Sequence, residues 1–183
     1  MNFPCHRTGR NHGFSALELI LVLLVASIVL AVAIPSFKTM GSSTQVRTAK
    51  NALILGLQRA RAEALSTGRN VVLCPSSDQH SCRNDSDWSE GWLLYRDDNH
   101  NGRFDPVEQL LLSQQLDPRL IGIRSNTGRR QITYRNLGES AGANASFVIC
   151  SRRDPHFGGQ VIIANSGRVR SLSFAPLETC AAI

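Results

Sequence analysis

Five side chains with oxygen atoms stand at the spacing of a calcium-binding loop. They are Asp97, Asn99, Asn101, Asp105 and Glu108. Carboxylate and amide oxygens at positions 1, 3, 5, 9 and 12 of a loop are the ligands that calcium prefers. The sequence on both sides favours strands, so the alternative is a long hairpin loop ordered by Asx turns. Calcium is therefore a candidate ligand, and we expect no other cofactor.

Two arginines close to the C-terminus are spaced to contact phosphate groups. Arg168 and Arg170 follow a turn that ends at Gly167, and on a strand they share one face. Their separation would be about 6.7 Å, or two residues, which is close to two phosphate steps of about 3.4 Å along one DNA strand. The alternatives are a solvated basic sheet edge, a role in the turn itself, or a contact with a neighbouring subunit.

The last third of the chain is rich in arginine. The formal net charge of the whole chain is +6. Beyond residue 118 there are only three acids, at 139, 154 and 178. The arginines there are at 119, 124, 129, 130, 135, 152, 153, 168 and 170. No helix suited to reading bases is evident in this region, so any contact with double-stranded DNA should be independent of base sequence and sensitive to salt.

Four of the five cysteines lie outside the N-terminal segment. They are Cys74, Cys82, Cys150 and Cys180. An even number in a small exported domain predicts two disulfides, and four cysteines allow three pairings. We favour Cys74–Cys82 and Cys150–Cys180, while free buried thiols are the alternative.

No motif of an enzyme is present in the sequence. The chain lacks a nucleophile elbow, a phosphate-binding loop, a dinucleotide fingerprint and a zinc-protease motif. His80, His100 and His156 each lie in a polar, loop-like stretch. We therefore expect no catalytic residues.

An apolar segment at residues 14–34 sets the class of the protein. These residues would span roughly 31 Å as a helix, which matches the hydrocarbon core of a bilayer of about 30 Å. Arg7 and Arg10 precede the segment and favour a cytoplasmic N-terminus. The rest of the chain would then lie in the periplasm.

Glu18 is the one ionisable residue in this apolar segment. It could reach the headgroups beside the positive end of the helix dipole. If the chain is cut between Gly13 and Phe14, Glu18 can instead pair with the new amine of a neighbouring subunit, because an unpaired charge in that setting is costly.

The Gly13-Phe14 junction, followed by Glu18 and an apolar run, resembles the signal of type IV prepilins. The resemblance implies that a prepilin peptidase cuts after Gly13 and methylates Phe14. The alternative is an ordinary secretory cleavage after Ala31-Val32-Ala33, which would release the rest of the chain.

One helix and eight strands are predicted after the apolar segment. Apolar residues recur at three- and four-residue steps over residues 44–67, which predicts a helix. Residues 41–43 are predicted to interrupt the long rod that this helix forms with the apolar segment before it. The strands are predicted at 71–74, 92–95, 109–113, 120–124, 131–134, 147–150, 161–164 and 169–174. The fold class is therefore α+β, with an N-terminal transmembrane helix that continues into an amphipathic helix packed on an antiparallel β-sheet head.

This order of elements is similar to that of the FimT, FimU and general secretion protein H family. The resemblance implies a leader at 1–13, a transmembrane and filament-core helix at 14–35, a periplasmic helix at 36–68 and a β head at 69–183. It also implies a minor pilin in the inner membrane and then the pilus, with other pilins and the peptidase as partners. The alternative is the H pseudopilin of a type II secretion system.

The sequence Gly167-Arg168-Val169-Arg170 resembles a motif of FimT-type pilins. Those pilins bind DNA during natural transformation, and the motif lies at their C-terminal end. The resemblance implies that Arg168 and Arg170, presented by Gly167, contribute to DNA capture.

Overall fold

A computed structural model describes residues 15–142, 144–172 and 180, and within residues 32–39 it describes only the backbone. The chain divides into two compact units, Met1–Lys38 and Thr39–Ile183. Helix α1 (Ala16–Thr67) contributes its first part to the first unit and the remainder to the second.

Helix α1 buries one face in the second unit, as the sequence pattern predicts. The buried residues are Val46, Ala49, Leu53, Leu57, Ala60 and Ala64. The helix ends where Gly68 takes a left-handed φ of 67° and donates its N–H to the carbonyl of Ala64. The expected interruption at residues 41–43 is wrong, because these residues are helical in the structure.

Among the described residues, eight antiparallel strands follow, one at each predicted position, although residues 173 and 174 of the last predicted strand lie outside the described residues. They are β1 (Asn70–Pro75), β2 (Gly91–Asp97), β3 (Leu110–Gln115), β4 (Ile121–Ser125), β5 (Ile132–Tyr134), β6 (Ala145–Ser151), β7 (Gly158–Ile163) and β8 (Val169–Leu172). The expectation of one sheet needs correction, because the strands form two four-stranded sheets. Their orders are β3-β2-β1-β5 and β4-β6-β7-β8.

One apolar core joins the helix to both sheets. Leu53 and Leu57 of α1, Trp92 of β2 and Phe147 of β6 belong to the same buried cluster, and Trp88 packs its ring edge-on against Phe147. Strands β6 and β7 alternate between buried and more exposed residues, so the second sheet covers the core with one face. Two short sheets can share a core in this way because each offers one apolar face to it.

The first sheet is buried on both faces. Its second face carries Val72, Leu93 and Tyr95, which Cys82 and Phe104 of two loops cover. This double burial explains why β1 and β2 are almost continuously apolar rather than alternating.

The first part of α1 has a different surface from the rest. Eleven large apolar side chains between Leu17 and Leu30 are exposed, and Leu17 is 77% accessible. Apolar residues lie on every side of the helix in this stretch. Within the described residues, no helix meets the combined requirements of length and hydropathy for a membrane span.

The core predicts a large difference between two neighbouring leucines of α1. Leu57→Ala should lower the free energy of unfolding by about 2–5 kcal/mol, because Leu57 is fully buried and its loss leaves a cavity. Leu55→Ala is the matched control, since Leu55 is 64% exposed, and it should change stability by less than about 0.5 kcal/mol. Urea unfolding of the two variants measures the difference, and equal losses would contradict the assigned buried face.

Candidate functional site

The hairpin that joins β7 to β8 presents the two arginines singled out in the sequence. The Gly167 N–H donates to the Ala164 carbonyl at 2.8 Å, and the Ala164 N–H donates to the Arg168 carbonyl at 3.0 Å. Arg168 and Arg170 are exposed, whereas Val169 packs against the core. Because β8 is an edge strand among the described residues, both arginines lie along a border of the second sheet.

Contacts from α1 and β5 hold the tip of this hairpin. Arg61 donates from Nη2 to the Ser166 carbonyl at 3.1 Å, and the Tyr134 hydroxyl lies 3.5 Å from the Gly167 carbonyl. Burial raises the pKa of Tyr134 to about 12, so its hydroxyl stays protonated and able to donate. The sequence pattern gave no signal for this contact, because Arg61 and Ser166 are 105 residues apart in the chain.

Gly167 is needed at the tip for two independent reasons. Its φ of +77° is in the left-handed region. A Cβ atom at this position would also lie 2.0 Å from the carbonyl oxygen of Gly138, which is backbone and cannot turn aside. The turn between β7 and β8 therefore packs closely against the loop that follows β5.

Local acids neutralise part of the basic excess. Arg119 pairs with Asp117 at 2.9 Å and Arg135 pairs with Glu139 at 3.4 Å. A count of charged residues from 119 onward leaves out Asp117, so it overstates the positive charge that is available to a ligand. Arg129 also points inward and donates to the Ala141 carbonyl.

Arg168 and Arg170 differ from these paired arginines. Among the residues that the structure describes, no acid lies within 4.0 Å of either guanidinium. Exposed, unpaired guanidinium groups on an edge strand can bind phosphate oxygens without first breaking an ion pair.

The structure contains two disulfides, and they are the pairs favoured from the sequence. Cys74 bonds to Cys82 and Cys150 bonds to Cys180, each with 5.6 Å between the Cα atoms. The first closes a loop over the second face of the first sheet. The second attaches Cys180 to β6 beside Val148.

Asp78 organises the loop that the first disulfide closes. Its carboxylate accepts hydrogen bonds from the hydroxyl and N–H of Ser81, from the N–H of His80 and from the hydroxyl of Ser76. These donors, the Ser81 hydroxyl first, hold the pKa of Asp78 far below its usual range.

The candidate calcium ligands lie together in the connection between β2 and β3. The Asp97 carboxylate accepts the N–H groups of Asn101 and Gly102, and Glu108 accepts those of Asp98 and Asp105.

The amide nitrogens of Asn99 and Asn101 both donate to Asp105 at 2.8 Å. The candidate oxygens are thus used for hydrogen bonds within the loop, which is the Asx-turn arrangement. Among the described residues, no three acidic, histidine or cysteine side chains converge as metal ligands.

The residues proposed for processing lie at the boundary of the described chain. Gly13 and Phe14 are outside the described residues, as are the side chains of Val32 and Ala33 at the alternative cleavage site. Glu18 is exposed in the first turn of α1, and its N–H donates to the Ser15 hydroxyl at 3.2 Å. Ser15 thus caps the helix, a contact that its position three residues before an acid could have indicated.

Comparison with known proteins places this fold in a family. A sequence model described as type II transport protein GspH matches residues 49–167. The chain belongs to the GspH family. A search of curated protein sequences found no match.

Solved structures of minor pilins and pseudopilins share the fold of this GspH-family chain. Two crystal structures of the type IV minor pilin FimU from Pseudomonas aeruginosa are 18% identical, with TM-scores of 0.51 and 0.53. They cover 72% and 74% of this chain and 94% and 91% of their own. The minor pseudopilin EpsH of the Vibrio cholerae type 2 secretion system is 13% identical, with a TM-score of 0.50, and the match covers 70% of this chain and 97% of EpsH.

Membership in the GspH family defines the kind of protein. Members are pilins or pseudopilins that assemble with other pilins or pseudopilins, and they belong to a pilus or a pseudopilus. The family consists of structural proteins, not known enzymes. The matched segment ends at Gly167, so Arg168 and Arg170 lie beyond it.

The close seating of the hairpin predicts that Gly167 tolerates a side chain poorly. Gly128 is the matched control, because it has a φ of +85° but no atom within 4 Å of an added Cβ. Gly128→Ala should cost about 1–2 kcal/mol of unfolding free energy from backbone strain alone. Gly167→Ala should cost about 1–3 kcal/mol more because of the clash with Gly138. Thermal unfolding compares the two, and similar losses would show that the hairpin is not seated on that loop.

Proposed function

We propose that this GspH-family chain is a minor type IV pilin of the FimT and FimU kind, which works at the tip of the filament and contributes to DNA capture. It acts by packing and binding rather than by catalysis. The proposal has two parts, one for each end of the chain.

The assembly role rests on the exposed apolar side chains between Leu17 and Leu30. Side chains of this kind on every side of a helix are unstable in water, so they require lipid or the helices of other subunits around them. We infer that residues 1–13 are removed by the prepilin peptidase after Gly13. The helix from Phe14 then anchors the chain in the inner membrane, with the head in the periplasm, and it later packs among the helices of the filament.

Glu18 has a defined role in this arrangement. Its carboxylate would meet the amine of Phe14 on a neighbouring subunit, and the pair would set the axial shift between the two helices. An ion pair that is shielded from water specifies one register, because any other register leaves a buried charge without a partner.

The DNA-binding role rests on Arg168 and Arg170. They are exposed, unpaired among the described residues and held on a hairpin that Arg61 and Tyr134 support. Because the hairpin backbone is held in place, only the two arginine side chains have to be ordered when they bind phosphate. Contacts of this kind do not read bases, so the partner would be double-stranded DNA of any sequence.

The second candidate function is that of the H pseudopilin in a type II secretion system. The description of the matching family and the fold shared with EpsH favour it. In that role the head would act on exported proteins, and DNA would not be a ligand. The two candidates therefore differ in whether the head binds DNA.

Removing the two arginines should weaken DNA binding. The full chain in non-ionic detergent is titrated into a labelled duplex at several salt concentrations, and fluorescence anisotropy gives the affinity. In Arg168→Gln/Arg170→Gln, the slope of log affinity against log salt should fall by about 2, because each lost phosphate contact removes about one released counterion.

The control variant removes the same charge from other places. Arg59 on α1 and Arg103 in the loop after β2 are exposed, and among the described residues neither has a carboxylate within 4.0 Å. Arg103 acts on Asp105 only at longer range. Arg59→Gln/Arg103→Gln should keep the salt slope of the parent protein. Equal effects of the two double variants would assign binding to net charge alone, and no salt-sensitive binding by the parent would favour the pseudopilin role.

A further inference from the structure

A basic cleft lies where α1 passes the edge of the second sheet. It has a volume of about 440 Å³, and its lining includes Arg47 and Lys50 of α1 with Ser171 of β8. Ser43 and Asn51 add a hydroxyl and an amide. All of these residues belong to the second unit, Thr39–Ile183.

The side chain of Lys50 is held against the sheet. A Cβ atom added at Gly159 of β7 would lie 3.2 Å from Lys50 Cδ and 3.9 Å from Nζ. The absence of a side chain at Gly159 thus leaves space for the lysine to cross the strand. The same added atom would be 3.2 Å from the Leu172 carbonyl, so the Lys50 side chain and the end of β8 both lie beside Gly159.

Among the residues that the structure describes, no acid neutralises the charge in this cleft. No described acidic side chain lines it, and neither Arg47 nor Lys50 has a described carboxylate within 4.0 Å. The Ser43 hydroxyl already donates to the Met40 carbonyl at 3.0 Å, so the donors left for a ligand are the two cations, the Ser171 hydroxyl and the Asn51 amide. This chemistry suits a phosphate group, whose oxygens accept several hydrogen bonds at once.

The cleft and the two arginines lie on opposite faces of β8. Arg168 and Arg170 lie on one side of this strand, and Ser171 on its other side lines the cleft. Residues 168 and 171 are about 10 Å apart along a strand, which equals about three phosphate steps of one DNA strand. A phosphate backbone that follows the edge of β8 would therefore meet the two arginines on one face and the cleft on the other.

We propose that Arg47 and Lys50 form a second phosphate-binding subsite for the same DNA strand that Arg168 and Arg170 contact. This inference rests on the proposed DNA-binding function and adds two residues to it. A DNA strand bound along the edge of β8 would have its phosphates held on both faces of that β-strand. The interaction is with phosphates only, so it adds affinity without sequence preference.

The test measures the salt dependence of DNA binding by the full chain in non-ionic detergent, with a labelled duplex as the probe. In Arg47→Gln/Lys50→Gln the slope of log affinity against log salt should fall by about 2, and the affinity at low salt should drop several-fold. Arg47→Lys/Lys50→Arg keeps both charges and should keep the slope of the parent. Arg59→Gln/Arg103→Gln is again the control for net charge.

The outcomes separate this inference from the function on which it rests. If Arg168→Gln/Arg170→Gln loses binding while Arg47→Gln/Lys50→Gln behaves like the parent, the subsite is refuted and the proposed function stands. That result is also expected if the cleft receives an acidic side chain of a neighbouring subunit. If the parent shows no salt-sensitive binding, the proposed function itself fails. Thermal unfolding of each variant confirms that the surface substitutions leave the fold intact.

Discussion

One helix, α1, carries two stretches with different surfaces, and the rest of the structure depends on this difference. Between Val46 and Ala64 it buries one face against two sheets and exposes the other. Between Leu17 and Leu30 its apolar side chains are exposed on all sides. The core of the head stabilises only the first of these stretches. The second stretch gains no support from that core, and exposed apolar side chains on every side of a helix are unfavourable in water.

Local pairing determines which parts of a basic surface remain available to a partner. Arg119 and Arg135 have acids beside them, whereas Arg168 and Arg170 lie at an open strand edge without one among the described residues. The same distinction applies to Arg47 and Lys50 in the cleft. An argument from net charge alone would treat all of these residues as equally available to bind phosphate. Desolvation and competition from nearby carboxylates make the unpaired ones the better ligands for phosphate.

Periodicity predicted the elements of the head because each strand and the buried face of α1 carry their own local signal. Residues 92–95 and 147–150 read as strands from their composition alone, and both are strands in the structure. Division into two sheets was not predictable in this way, because strand order depends on contacts between distant segments. The hydrogen bond from Arg61 to the hairpin was not predictable either, because it also joins distant segments of the chain. The spacing from Asp97 to Glu108 was recognised, but a spacing does not show whether the oxygens face a cation or the backbone N–H groups of their own loop.

We propose that the N-terminal helix is a joint between filament subunits, formed once the first 13 residues are gone. The intact mass of the chain recovered from assembled filaments tests this claim most directly. The account predicts a mature protein that begins at Phe14 and carries one added methyl group at its amine. A chain that keeps residues 1–13 in the filament would contradict it, because Glu18 would then have no Phe14 amine to meet. A chain that begins at Ile34 would also contradict it, because Glu18 itself would have been removed.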